Sequence, residues 1–206
     1  MAALAWSLAT AARADEPATY GGALTPDETQ FVASIQSDLG RRFPRASDAE
    51  KSGYTRYTEE DDSGAISYAN RQWVSDPRHP SQLWYDKHGD LLGADFSVPR
   101  PHGEPRPALW GINPGRWVEF DGHVHWVDRD TATGALKFDA LWNKNWVAAG
   151  GSLTDPSPDT IVKLGEAKTA ADVVTVFEFP TIWDLIVWVK PNPNGAFAEM
   201  NPTVDR

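Results

Sequence analysis

Asp121-Gly122 stands between two runs of alternating character, Trp117 to Phe120 and His123 to Trp126, and constrains the fold more than any other pair in the chain. Asp-Gly tolerates the left-handed backbone of a two-residue turn whose twist matches the strands it joins, so residues 117–128 predict a tight β-hairpin. Across that turn Phe120 opposes His123, Val118 opposes His125 and Trp117 opposes Trp126. Side chains alternate along a strand. One face therefore carries Val118, Phe120, His123 and His125, and the other carries Trp117, Glu119, Val124 and Trp126.

The remaining punctuation extends this architecture. Thr25 as N-cap, Pro26 in the first turn and Glu28 at capping-box spacing open a helix with Phe31, Ile35 and Leu39 on one face and Gly40 at its end. Residues 48–63 read as a charged, solvated segment around Glu59 to Asp62. Ser67 to Trp73 reads as a strand, Gln82 to Tyr85 and Leu91 to Val98 as a second hairpin, and Ala135 to Phe138 as a further strand. Ser157, Pro158 and Asp159 open a second helix. Thr169 and Asp172, again at capping spacing, predict a third that carries Val173, Val176 and Phe177 and stops at Pro180. The apolar run Leu185 to Val189 predicts a strand buried on both faces. The expected fold is α+β, a single domain over residues 15–206. Its antiparallel, meander-type sheet of roughly five to seven strands is covered on one face by an N-terminal helix and one or two C-terminal helices.

Residues 1–14 have a different character. An apolar, alanine-rich stretch ends in Ala12-Arg13-Ala14, a small-x-small pattern, and acidic residues follow. This predicts a truncated signal peptide and a periplasmic or secreted protein. No stretch approaches the roughly 20 apolar residues of a membrane helix, so membrane insertion is not expected. The chain has no cysteine, which excludes disulfides, thiolate metal sites and cysteine nucleophiles together. A formal charge of −10 repels phosphate backbones, so nucleic acid is a poor partner. No phosphate-binding glycine loop and no Gly-x-Ser-x-Gly occurs. Oligomeric state is not encoded legibly.

Two leads to function remain. His123 and His125, at i and i+2 on one strand, project to the same side about 7 Å apart, a spacing from which both imidazoles can reach one divalent ion such as Zn, Cu, Ni or Fe. A third ligand would come from His79, His88, His102, Asp128 or Asp130. The His-x-His with a later acid resembles the first motif of the cupin barrels. Trp117 stands where that motif has glycine, however, Asp130 stands where it has glutamate, and the strands are too few for such a barrel. The pair could equally pack beside Phe120 as neutral rings, or act as acid and base on a substrate with Glu119 as a further catalytic candidate. Glu119 and Asp121 are the carboxylates a glycosidase reading would use. The second lead is the ten tryptophans. Trp117 and Trp126, with Phe120, form a candidate stacking platform for a small ligand, whose alternative is aromatic packing within the core. The expectation is an exported protein that binds a small molecule in an aromatic-lined pocket. The alternative is a metal site on His123 and His125.

Overall fold

The computed structural model describes residues 21–100 and 104–205, so the expected signal segment and His102 lie outside the described residues. Helix α1 spans Pro26–Arg42. Both halves of its capping box form: Thr25 Oγ1 accepts from the Glu28 N–H at 3.1 Å, and the Thr25 N–H donates to Glu28 Oε2 at 3.0 Å. Such a cap stabilises the helix by about 1 kcal/mol. Arg116, the last residue of a short 3-10 turn at Pro114–Arg116, donates from Nε to Glu28 Oε1 at 3.1 Å, which fastens that distant loop to the start of the helix. A second short helix, α2, spans Ala46–Lys51.

The strands are β1 (Thr55–Arg56), β2 (Ile66–Ala69), β3 (Gln82–Tyr85), β4 (Leu91–Pro99), β5 (Val118–Phe120), β6 (His123–Arg129), β7 (Leu136–Trp142), β8 (Val173–Phe179) and β9 (Ile182–Trp188). Helices α3 (Asn143–Ala148) and α4 (Pro158–Leu164) fall between β7 and β8. The fold is α+β and its ladders are antiparallel, as expected, but the strands divide between two sheets. One has the order β1-β2-β3-β4-β9-β5 and the other β7-β6-β8. Helix α1 lays Phe31, Val32, Ile35 and Leu39 on one face of the larger sheet, against Leu83, Phe96, Leu185 and Val187. The smaller sheet packs Val124 and Trp126 on Trp146 of α3 and Ile161 of α4. Each such side chain contributes about 1.5–3 kcal/mol of burial, so these two layers hold the fold together.

The hairpin expected over 117–128 does not form. β5 pairs with β9, while β6 pairs with β7 and β8. Neither Asp121 nor Gly122 takes the positive φ that a two-residue turn needs. These two residues are a corner instead. Phe120 faces Ile182 and His123 faces Phe179, so one pairing register runs through the bend unbroken. The partner chain turns the same corner at Pro180 and Thr181, and a continuous two-stranded ribbon thus passes from one sheet into the other. Glycine also leaves room at this corner: a Cβ at 122 would lie 2.3 Å from Asn143 Nδ2, so that side chain would have to move to admit one.

The third helix expected after Thr169 is also corrected. Its capping box forms, with the Thr169 N–H donating to Asp172 Oδ2 at 2.9 Å, but the helix stops after the 3-10 turn Ala170–Asp172 and β8 follows. Val173, Val174, Thr175 and Val176 are β-branched, and β6 offers them a free ladder. Tertiary pairing overrides the local signal.

Candidate functional site

A cavity of about 530 Å³ opens in the angle between the two sheets. The bent ribbon forms one wall and places Val118, Phe120, His123 and His125 on its concave side. These four residues are the set that alternation assigns to a single face. They meet there because the ribbon bends, not because β5 and β6 are partners.

The floor is the face of the larger sheet turned away from α1. Its residues alternate with the core residues along the same strands: Gln82 and Trp84 on β3, Asp95 and Ser97 on β4, Asp184, Ile186 and Trp188 on β9. Gly93 faces Trp84 on one side and Trp188 on the other, and a Cβ there would come within 2.9 Å of the Trp84 ring. With no side chain in between, the two indoles meet edge to face at 5.5 Å. Trp84 then directs its Nε1 to Asp95 Oδ2 at 2.9 Å.

Asp95 and Asp184 are the chemical centre of this floor. They are diagonal neighbours on adjacent strands, 6% and 4% exposed. Ser97 Oγ donates to Asp184 Oδ1 at 2.7 Å, and Ser81 Oγ lies 2.6 Å from Ser97 Oγ. Asp95 Oδ1 meets no N–H or hydroxyl donor among the described residues. The two carboxyls interact directly, and two like charges so close in a buried site cannot both form without cost. Burial pushes both groups above the usual carboxylate range, and the negative charge of Asp184 pushes Asp95 further. The two carboxyls therefore titrate as one coupled pair, which keeps a proton above the pH at which an exposed carboxyl loses it. Tyr57, also sealed in the cavity wall, donates its hydroxyl to Gln82 Oε1.

The histidines stack on the ribbon. His123 lies parallel to Phe179 at 4.9 Å, His125 lies near-parallel to Phe177 at 5.8 Å, and the two imidazoles are 4.7 Å apart. Burial lowers the His123 pKa. Burial first, and the charge of His123 second, hold His125 down at about 3. Both rings are neutral near pH 7. His123 Nδ1 is 2.8 Å from the Asp121 carbonyl oxygen, which can only accept, so Nδ1 bears the hydrogen and Nε2 keeps its lone pair.

The other candidate residues lie elsewhere. Trp117 is fully buried in the α1 core and Trp126 is buried against α3 and α4, so the cross-strand tryptophan pair is overturned and neither ring lines the cavity. Phe120 does line it, with 44% of its surface exposed. Glu119 points away and pairs with Arg100 at 2.8 Å. Asp121 lines a separate depression beside Trp142 and Asn143, which parts it from Glu119. His79 pairs with Asp76 and Asp130 caps a turn. No group of three His, Cys, Asp or Glu suited to a metal ion occurs among the described residues. Another depression of about 530 Å³ borders Arg42, Tyr54 and His79, but Arg42 is held by Asp38 and His79 by Asp76.

Asp95, Asp184, Trp84 and Trp188 are the site residues the sequence reading passed over. A signal for the first two is present: each is a lone carboxylate inside an otherwise apolar strand, Leu91 to Val98 and Ile182 to Trp188. A solvated acid rarely sits there. Comparison with protein-family models, curated proteins and solved structures yields no match, and function has to be argued from the site alone.

Proposed function

We propose that this protein binds a small molecule in the cavity between the two sheets. One observation carries the reading: two carboxyls are buried at the base of an aromatic-lined cavity with no cation of the protein's own lining it among the described residues. Burying such groups costs the fold several kcal/mol, and core packing alone would favour apolar residues at both positions. Polar groups converging in an otherwise apolar recess are the usual form of a ligand site. Trp84 and Trp188 supply flat walls, and the carboxyls and the free Nε2 of His123 supply directional contacts. The pattern at residues 1–14 extends the proposal to an exported protein. Sequencing the N-terminus of protein recovered from the periplasm tests that part.

Tryptophan fluorescence titrated with small aromatic, sugar-like and amine compounds tests the binding reading, since two indoles line the cavity. A saturable change that disappears in Trp84→Phe supports it. No response across the panel to millimolar concentration sinks it.

A second reading places a divalent ion, such as Zn, Cu, Ni or Fe, on His123 and His125. The neutral rings on one face favour it, and the missing third ligand weighs against it. Elemental analysis of untagged protein decides: metal well below one equivalent, unchanged after incubation with each ion, ends this reading.

A further inference from the structure

The cavity also specifies the charge of its occupant. Asp95 and Asp184 form its floor, and Asp61, Asp62 and Glu199 stand at its margin. Among the described residues no lysine or arginine lines it. Two arginines of the flanking loops and strands are engaged with other partners. Arg56 donates to the Thr58 carbonyl and lies over the Phe138 ring, and Arg71 donates to Thr175 and lies over Phe177. The histidines add no positive charge, because burial keeps them neutral.

A buried carboxylate without a cation is unfavourable, and a cation supplied by a ligand would reverse the imbalance. The walls act in the same direction. Tyr57, Trp84, Phe179 and Trp188 present π systems that attract a cation and repel an anion. A bare metal ion suits this surface poorly, since hard cations take six or more oxygens and gain little from indole walls. An N–H donor suits it well, because Asp95 Oδ1 meets none from the protein among the described residues.

We infer that the ligand is an organic ammonium bearing at least one N–H on a flat apolar body, with the Asp95–Asp184 pair as its counter-ion. This rests on the small-molecule reading above and narrows it. The ammonium donates to the carboxyls, the proton they share leaves to solvent, and the body lies between Trp84, Trp188 and Phe179. The protein's net negative charge draws such a ligand in.

Calorimetry on the intact protein with three matched probes tests the inference: 2-phenylethylammonium, 2-phenylethanol and 3-phenylpropionate. The ammonium should bind at least about tenfold tighter than the alcohol, and the carboxylate should give no heat. Asp184→Asn and Asp95→Asn should each reduce the preference, the double variant should abolish it, and alcohol binding should stay within about twofold. Circular dichroism confirms that the variants fold. Should either fail to fold, a pH series on the unaltered protein carries the same test. Ammonium affinity rises as the pair gives up its proton and its binding heat depends on the ionisation enthalpy of the buffer, whereas alcohol affinity stays flat. Tyr57 just after β1, His123 and His125 from β6, and Asp61, Asp62 and Glu199 at the margin face the same space. A Glu199→Gln control should leave that slope in place, and its loss there overturns the assignment to the aspartates. Alcohol and ammonium of equal affinity overturn the charge inference and leave the small-molecule reading standing. Silence from all three probes overturns both.

Discussion

The two faces of the larger sheet are built from the same strands and obey opposite rules. Toward α1, β3, β4 and β9 present Leu83, Phe96, Leu185 and Val187, which interlock with the helix. One residue along, the same strands present Gln82, Asp95, Ser97 and Asp184. Both faces are buried, so hydrophobic patterning alone does not explain the second. The helix face contributes stability, whereas the two buried carboxyls of the cavity face cost some of it, even though Trp84 and Trp188 pack there with Leu92. Substitutions on the two faces should therefore differ in sign.

The largest effect is expected on the helix face. Leu185 has no exposed surface and lies opposite Phe96 in the ladder. Leu185→Ala should destabilise the protein by about 2–5 kcal/mol in denaturant unfolding, through lost burial plus the hole left behind. A loss under about 1 kcal/mol would mean that α1 can settle into the gap, and the contrast between faces would weaken.

The opposite sign is expected across the sheet. Asp184→Asn keeps an acceptor for the Ser97 hydroxyl and takes one ionisable carboxyl out of the buried pair, so at pH 8 it should stabilise the unliganded protein by about 1–3 kcal/mol. Burial raises the folded-state pKa values of the pair above the ordinary aspartate value of 3.8. The native state therefore holds a proton that the unfolded chain has lost, and stability falls as pH rises from about 4 through the folded values. The gain from Asp184→Asn should shrink toward pH 4, where the native pair is protonated. Destabilisation at pH 8 would show the carboxylate to be structural.

How much of this was legible in the sequence depends on the range of the interaction. The cap at Thr25, the stripe of α1 and the strand pair around residues 86–90 are local, and all are present in the fold. The corner at Asp121-Gly122 was misread, because a turn and a bend leave the same local signature and only the partner strand 173–184 distinguishes them. The third helix failed similarly: its cap is real, but the valines that follow meet a ladder 45 or more residues away in sequence. The face shared by His123 and His125 was legible because alternation needs no partner. Asp95 and Asp184 each leave a local signal, but their pairing was hidden because the strands carrying them are far apart in sequence.

Histidine 125 sharpens the comparison from the other wall. Its pKa is held at about 3 against the ordinary histidine value of 6.5, so the unfolded chain takes up a proton that the native state refuses, and stability falls as pH drops through that window. The slope is at most about 1.4 kcal/mol per pH unit for one group. Between about pH 4 and pH 6 this opposes the aspartate pair, which gains stability in the same direction. Relative to the unaltered protein, His125→Gln should gain stability on acidification and Asp184→Asn should lose it. Parallel unfolding curves for the two variants across this range would show that the walls do not titrate as described.

The smallest effect on stability, and the finest test of the division, belongs to Phe120. It lines the cavity but is 44% exposed at its mouth, and little of the fold rests on it. Phe120→Ala should shift the unfolding free energy by less than about 0.5 kcal/mol, as for surface positions generally. Calorimetric affinity for 2-phenylethylammonium should nevertheless fall by about fivefold, since an aromatic contact contributes about 0.5–1.5 kcal/mol beyond its area. Equal loss of stability and affinity would place Phe120 with the packing residues. Loss of neither would move the ligand deeper, onto Trp84 and Trp188, where the carboxyls rather than the mouth govern selection.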